Sequence, residues 1–311
     1  MPAPQLHLSF ALSIPSHAAV PRAMRRAASN EETYARLGAI VHDLPYYGNM
    51  VLEAIRYGLE AQPLDAPWAY RMHCVEPARF VASFVRAAAT TPGFSTDERL
   101  ALAGGLASHC ALDLTLHPLV NHCARRDTAR FGGHEAFHHR LAEKYHALFV
   151  HLERLGFDPI GSPEIRRWTR VVKDGSLWQA RVEAPLVALI RDAYRGAYGD
   201  APDGATWAGW VRSFAHFGLM VGTPMAARNS ARVRKDPAWR ERFYENEQFR
   251  FGEFYACSER RLAALTTLCH DYFAAGDFSR AAEERFIAQS GIDDLAEPVP
   301  SADLPALARA A

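Results

Sequence analysis

Apolar residues recur along this chain at intervals of three and four, the repeat of one helix face, and no stretch alternates with a period of two. Ala, Leu, Arg and Glu are abundant while Val and Ile are sparse, which favours helix over strand. The pattern predicts helices over 16–29, 31–41, 48–61, 77–90, 96–117, 133–156, 163–172, 178–198, 204–222, 237–273 and 279–289. Pro63 and Pro67, Thr91-Pro92-Gly93, Gly132-Gly133 and the stretch from Gly156 to Pro163 mark the breaks. An all-α helical bundle follows. Residues 1–160 are expected to form its core, 161–290 a C-terminal helical region packing on that core, and 291–311, with three prolines, a loose tail.

Within this pattern the segment ALAGGLASHCALDLTLHPLV (101–120) is apolar on every side, as a buried helix is. His109, Asp113 and His117 stand four residues apart on it, so two imidazoles and a carboxylate share one stripe. An ionised carboxylate in such surroundings is costly unless paired, and no Lys or Arg lies between Arg99 and Arg125. A divalent metal ion is the simplest partner. Pro118 is expected to end this helix, leaving His117 free to reach a different ion from the one bound by His109.

The next predicted helix sets His139, Glu143 and His146 within about 60° of one another, opposite Leu141, Tyr145, Leu148, Leu152 and Leu155. A polar stripe of this kind is ordinarily a solvated face. Imidazole beside carboxylate at i, i+4 is also a nitrogen and oxygen set suited to zinc. In LGAIVHDLPYYGNM, Asp43 emerges beside His42 where an apolar run stops, and His73 sits in a connection between Pro67 and Pro77. Taken singly, these read equally as a capping aspartate and a hydrogen-bonded histidine.

Composition narrows the function. Thirty-five basic residues balance 35 acidic ones over 311 residues, which argues against nucleic acid as an electrostatic partner. No run supplies the roughly 20 apolar residues needed to span a bilayer. The N-terminal apolar run has no basic residue before it and is broken by Pro15, so it reads as part of the fold rather than a signal peptide. Five cysteines without a CxxC pair fit reduced thiols, and a cytoplasmic location is expected.

The segment SHCALDLTLHP, the later HHRLAE and the GAIVHDLPY stretch resemble the bacterial zinc-dependent phospholipase C family, in particular an uncharacterised branch of it, with the P1-type zinc nucleases as relatives. The resemblance covers about residues 1–155. It implies two or three zinc ions: one on His73, His109 and Asp113, a second on His117, His139 and Glu143, and a third sharing Asp113 with His7. Asp43 would be the general base or water-orienting carboxylate, counted also among the metal-site residues. The implied activity is hydrolysis of a small phosphodiester or phospholipid-like substrate. Three features depart from the secreted phospholipases. The step from Asp113 to His117 is two residues shorter, HHRLAE leaves both His138 and His139 as candidates, and no tryptophan starts the chain.

Other chemistries fit parts of the pattern. His42-Asp43 is the dyad of an HD-type phosphohydrolase, Glu135-x-x-His138 and Glu143-x-x-His146 have di-iron spacing, and a relative could use the zinc cluster for non-hydrolytic or specialised biosynthetic chemistry. Phe10, Tyr46, Tyr47, Trp68 and Tyr70 could line a lipid-accepting mouth or simply pack. Arg228, Arg232, Arg234 and Lys235 read as a solvated basic helix end, and His216 as a core histidine.

Overall fold

A computed structural model describes residues 4–48, 66–173, 175–176, 179–180, 182–233, 238–245 and 248–297; the helix expected at 48–61 lies outside them but for Gly48. The protein is all-α, with fourteen α-helices among the described residues. These are α1 (Pro4–Ser13), α2 (Arg22–Asn30), α3 (Glu32–Ile40), α4 (Pro67–Cys74), α5 (Pro77–Thr90), α6 (Thr96–Phe131), α7 (Glu135–Val150), α8 (Pro163–Trp168), α9 (Ala184–Tyr198), α10 (Gly204–Val221), α11 (Pro224–Val233), α12 (Trp239–Phe243), α13 (Phe251–Ala275) and α14 (Arg280–Ser290). One two-residue hairpin, Gly175–Ser176 against Gln179–Ala180, accompanies them. Among the described helices none is long and apolar enough to cross a membrane.

The long helix α6 is the axis of the molecule. It starts in a capping box, in which Glu98 N–H donates to Ser95 Oγ at 3.2 Å and Ser95 N–H donates to the Glu98 carboxylate at 2.7 Å. From Leu100 to Asn121 every residue is buried, because α1, α2, α3, α5, α7 and α13 pack around it. An all-round apolar sequence needs such a sheath. The buried hydrophobic residues form one continuous core running from Leu6 to Leu295.

Pro118 does not end α6, which continues to Phe131. Proline in a helix interior removes one backbone hydrogen bond at a cost of about 3 kcal/mol. Burial of Leu119, Val120, Cys123 and Ala124 on the following turns offsets that cost. The helix expected over 237–273 is broken instead. Phe243 packs on Tyr145 with ring centroids 4.5 Å apart, Phe251 N–H closes a turn onto the Tyr244 carbonyl at 2.7 Å, and α13 starts afresh. Residues 4–13 and 67–74 are helices that the pattern did not announce. Of the expected loose tail, residues 291–297 are packed onto the body, with Leu295 fully buried, and 298–311 lie outside the described residues.

The crossing of α3 over α6 is unusually close. A Cβ on Gly38 would stand 2.2 Å from the Leu102 carbonyl oxygen, and one on Gly105 would stand 2.0 Å from that of Ala35. This approach brings the Ala39 carbonyl to His109, whose Nδ1 lies 2.9 Å away. Gly105→Ala is therefore expected to destabilise the fold by about 2 kcal/mol or more through overpacking, read from urea unfolding midpoints. An unchanged midpoint would show that the crossing can relax.

Candidate metal centre

The carboxylate of Asp113, 1 % exposed, sits at the middle of α6 with four imidazoles around it, each presenting Nε2. Oδ2 faces His109 at 3.0 Å and His73 at 3.5 Å; Oδ1 faces His7 at 3.4 Å and His117 at 3.6 Å. Asp43, fully buried where α3 gives way to a 3-10 turn, places Oδ1 3.5 Å from His73 and Oδ2 3.9 Å from His7. On the other side, Glu143 Oε1 lies 3.0 Å from His139 Nε2 and 3.6 Å from His117 Nε2.

Hydrogen bonds on the far side of the rings decide what these contacts are. His73 Nδ1 lies 2.7 Å from the Ala69 carbonyl, His109 Nδ1 faces Ala39, and His117 Nδ1 bonds the Leu295 carbonyl. A carbonyl only accepts, so each Nδ1 carries the proton and a neutral ring presents a bare lone pair at Nε2. These three lone pairs point toward carboxylate oxygens. His73, His109 and His117 Nε2, both oxygens of Asp43, Asp113 Oδ2 and Glu143 Oε2 have no hydrogen-bond partner. Acceptors gathered against acceptors in a dry interior require cations. Ligands about 2.1 Å from a tetrahedral ion stand about 3.4 Å from one another, close to the separations seen here. The donor set fits metal ions.

Three groups could hold an ion: His7, His109 and Asp113; Asp43, His73 and His109; and His117, His139 and Glu143, the first two competing for the single Nε2 lone pair of His109. All eight residues singled out from the sequence thus come together. The third group coincides with the set implied by the family resemblance, while the other two distribute His7, Asp43 and His73 around His109 differently. His117 and His109 do face different groups, although helix termination is not the reason. One lies a turn above Asp113 and the other a turn below, so they meet opposite oxygens. Of the two adjacent histidines, His139 joins Glu143, whereas His138 Nε2 lies 2.8 Å from the Gly132 carbonyl.

Electrostatics follow this layout. Burial raises the pKa of Asp113, but His109, His117 and His7 outweigh it and hold the carboxyl well below its ordinary range. Burial likewise opposes ionisation of Glu143, and His139 and His117 overcome it. For His73, burial alone would lower the pKa; the Asp113 and Asp43 carboxylates raise it to about 10. His117 is raised to about 9 by Asp113 and Glu143 against the same burial. His7 falls to about 4, driven by burial and by neighbouring His109.

Two buried histidines near the centre stand outside the ligand set expected from the sequence. His42 is fully buried and stacks on His109 at 4.7 Å and 8°, with neither ring nitrogen partnered. It belongs to none of the three groups, so the dyad of an HD-type enzyme is not assembled. His146 donates Nε2–H to the Phe243 carbonyl at 2.8 Å. Beside Glu143 and His117 it lines a cavity of about 20 Å³, room for one water-sized molecule. Glu135, the partner needed by a di-iron motif, is exposed. The i, i+3 step from Glu143 was the signal for His146; nothing in the local sequence marks the stack of His42 on His109.

Comparison with known protein families, with curated proteins and with solved structures returned no match for this chain.

Chelation of the purified protein is expected to lower its thermal unfolding midpoint by several degrees, and a divalent ion to restore it, since bound ions stabilise only the folded state. A midpoint indifferent to chelator and metal would count against the centre. Acid should act through a different residue. Burial depresses His151 to about 4, while its Nε2 lies 3.4 Å from the Gln5 carbonyl of α1. In the unfolded chain the same ring titrates near about 6.5, so the unfolded state binds the extra proton and stability falls as pH drops from about 6.5 to about 4. His146 falls to about 4 for the same reason, so His151→Gln should reduce the slope by the share of one proton, and an unaltered slope would refute the assignment.

Proposed function

We propose that this protein is a zinc-dependent hydrolase of phosphodiesters, similar in its centre to the zinc-dependent phospholipases C. The observation that carries the reading is convergence. Eight residues from five separate segments, namely α1, the turn after α3, α4, α6 and α7, meet in one buried cluster centred on Asp113. Histidines and acids serving separate structural needs would have no reason to leave their acceptors facing one another.

Two or three zinc ions held by these residues would acidify a water molecule and polarise a phosphoryl oxygen. The chain's own groups do the rest. Asp43 is the general base: with Oδ1 turned to His73, Oδ2 accepts the proton from the attacking water. The Ala69, Ala39 and Leu295 carbonyls hold His73, His109 and His117 in the tautomer that aims Nε2 inward. Tyr46, half-buried with its ring 5.9 Å from that of His73, keeps its proton because burial and the Asp43 charge raise its pKa. Its protonated hydroxyl would be available to donate to a phosphoryl oxygen. Of the aromatic residues considered for a lipid-accepting mouth, Phe10 and Tyr47 are core and drop out of the set that could touch substrate. The substrate class proposed is a small phosphodiester, with a phospholipid head group as one member.

The test is elemental analysis of untagged protein followed by turnover of p-nitrophenylphosphorylcholine. Two or three equivalents of zinc and measurable hydrolysis are expected. Asp43→Asn should retain the zinc of the groups that do not include Asp43 and lose about 10²- to 10⁴-fold in rate, the usual contribution of a general base. Zinc-free protein, or an Asp43→Asn variant as fast as the parent, would overturn the assignment.

A further inference from the structure

The segment that follows α14 returns across the seam between α4 and α6 and touches two of the ligand histidines. Leu295 N–H donates to the His73 carbonyl at 2.8 Å, and the Leu295 carbonyl accepts the proton of His117 Nδ1. Its side chain is fully buried. The neighbouring residues are fastened in turn. Asn121 Nδ2 donates to the Ala296 carbonyl at 2.8 Å, and Arg125 pairs with Glu297 at 2.6 Å. Asp294 Oδ1 accepts from the Ala296 and Glu297 N–H groups at 2.7 and 2.9 Å, which holds the turn in shape.

The other two fixed rings obtain their carbonyls from the body of the bundle: His73 from Ala69 one turn earlier on α4, and His109 from Ala39 at the tight crossing of α3. His117 depends on the far end of the sequence, 178 residues away. A ring whose Nδ1–H is held this way is fixed in both tautomer and direction, and its Nε2 lone pair is delivered toward Glu143 and Asp113. Released, the ring is free to turn about its side-chain torsions and to move its proton to Nε2, where it no longer serves as a ligand.

We infer that residues 292–297 are a strap that positions His117, so that docking of the strap and metal loading of the His117, His139 and Glu143 group are coupled. The inference rests on the metal-centre reading. Loss of an outer partner of a ligand histidine lowers metal affinity about 10- to 100-fold. By reciprocity the metal must favour the docked strap by the same factor. Leu295 is thus a positioning residue acting through its backbone, and the strap makes the centre responsive to whatever binds or cleaves the C-terminal segment.

The test compares the full chain, a chain ending at Gly291, and a full-length Asn121→Ala/Asp294→Ala variant that loosens the strap without shortening it. Zinc affinity is measured by competition with a chromophoric chelator, and hydrogen exchange is followed at the Leu295 amide. Both variants should hold their weakest zinc about 10- to 100-fold less tightly. In the full chain, zinc should slow exchange at Leu295 by the same factor. Folded variants with unchanged affinity, or an exchange rate at Leu295 indifferent to zinc, overturn the strap while leaving the metal centre standing. A full chain that takes up no zinc removes both. Should the shortened chain fail to fold, the double variant and the exchange rate decide.

Discussion

One carboxylate in a dry helix interior sets the terms for the rest of this molecule. Asp113 is 1 % exposed, and its ion pairs among the described residues are all with histidines. A buried charge without compensation costs several kcal/mol, a large fraction of the stability of a domain. Imidazoles alone compensate it poorly, because those that donate Nδ1–H to a carbonyl offer it a lone pair rather than a proton. Two ways out exist: protons trapped on Nε2, as the raised pKa values of His73 and His117 express, or metal ions placed between the opposed acceptors. The second would satisfy the three carboxylates and the inward Nε2 lone pairs of neutral rings together.

The bundle can be understood as the apparatus that keeps those rings aimed. A neutral imidazole becomes a ligand only when its other nitrogen is pinned, and the pins here are backbone carbonyls. Ala69 is available because α4 is a helix, Ala39 because Gly38 and Gly105 let two helices nearly touch, and Leu295 because the chain returns over the site. A substitution at either glycine thus reaches the centre through the Ala39 carbonyl. His42, stacked flat on His109, adds an apolar wall against rotation of that ring.

The sequence marked the residues that cluster more fully than the architecture that gathers them. Residues sharing one helix, such as His109, Asp113 and His117 or His139 and Glu143, are legible because spacing alone sets their common face. The boundaries of α5 at 77–90 were legible for the same reason, being framed by Pro77 and by Thr91-Pro92-Gly93. What could not be read were features decided by contacts distant in sequence. Pro118 looked like a stop, since the burial that carries α6 through it belongs to its neighbours. The 237–273 stretch looked continuous, since the break at Tyr244 is imposed by Tyr145 and His146 on α7. The strap looked like loose chain because its acidic residues, and the prolines that follow it in sequence, say nothing of His73 and His117, more than 170 residues earlier.

The arrangement on α6 also explains why the centre cannot form piecemeal. Asp113 offers Oδ2 to the histidine one turn before it and Oδ1 to the one a turn after, so the helix divides a single motif into two half-sites. Neither half is complete on that helix. The first needs Asp43 and His73, the second needs His139 and Glu143, and His7 from α1 joins the Oδ1 side. Each half therefore exists only after tertiary packing, so any metal affinity would be part of folding energy rather than an addition to it. Because Asp113 faces a histidine of each half, a cation at Oδ2 would draw electron density from Oδ1. The two halves would then not be independent: filling one would alter the field felt by the other through a single rigid side chain.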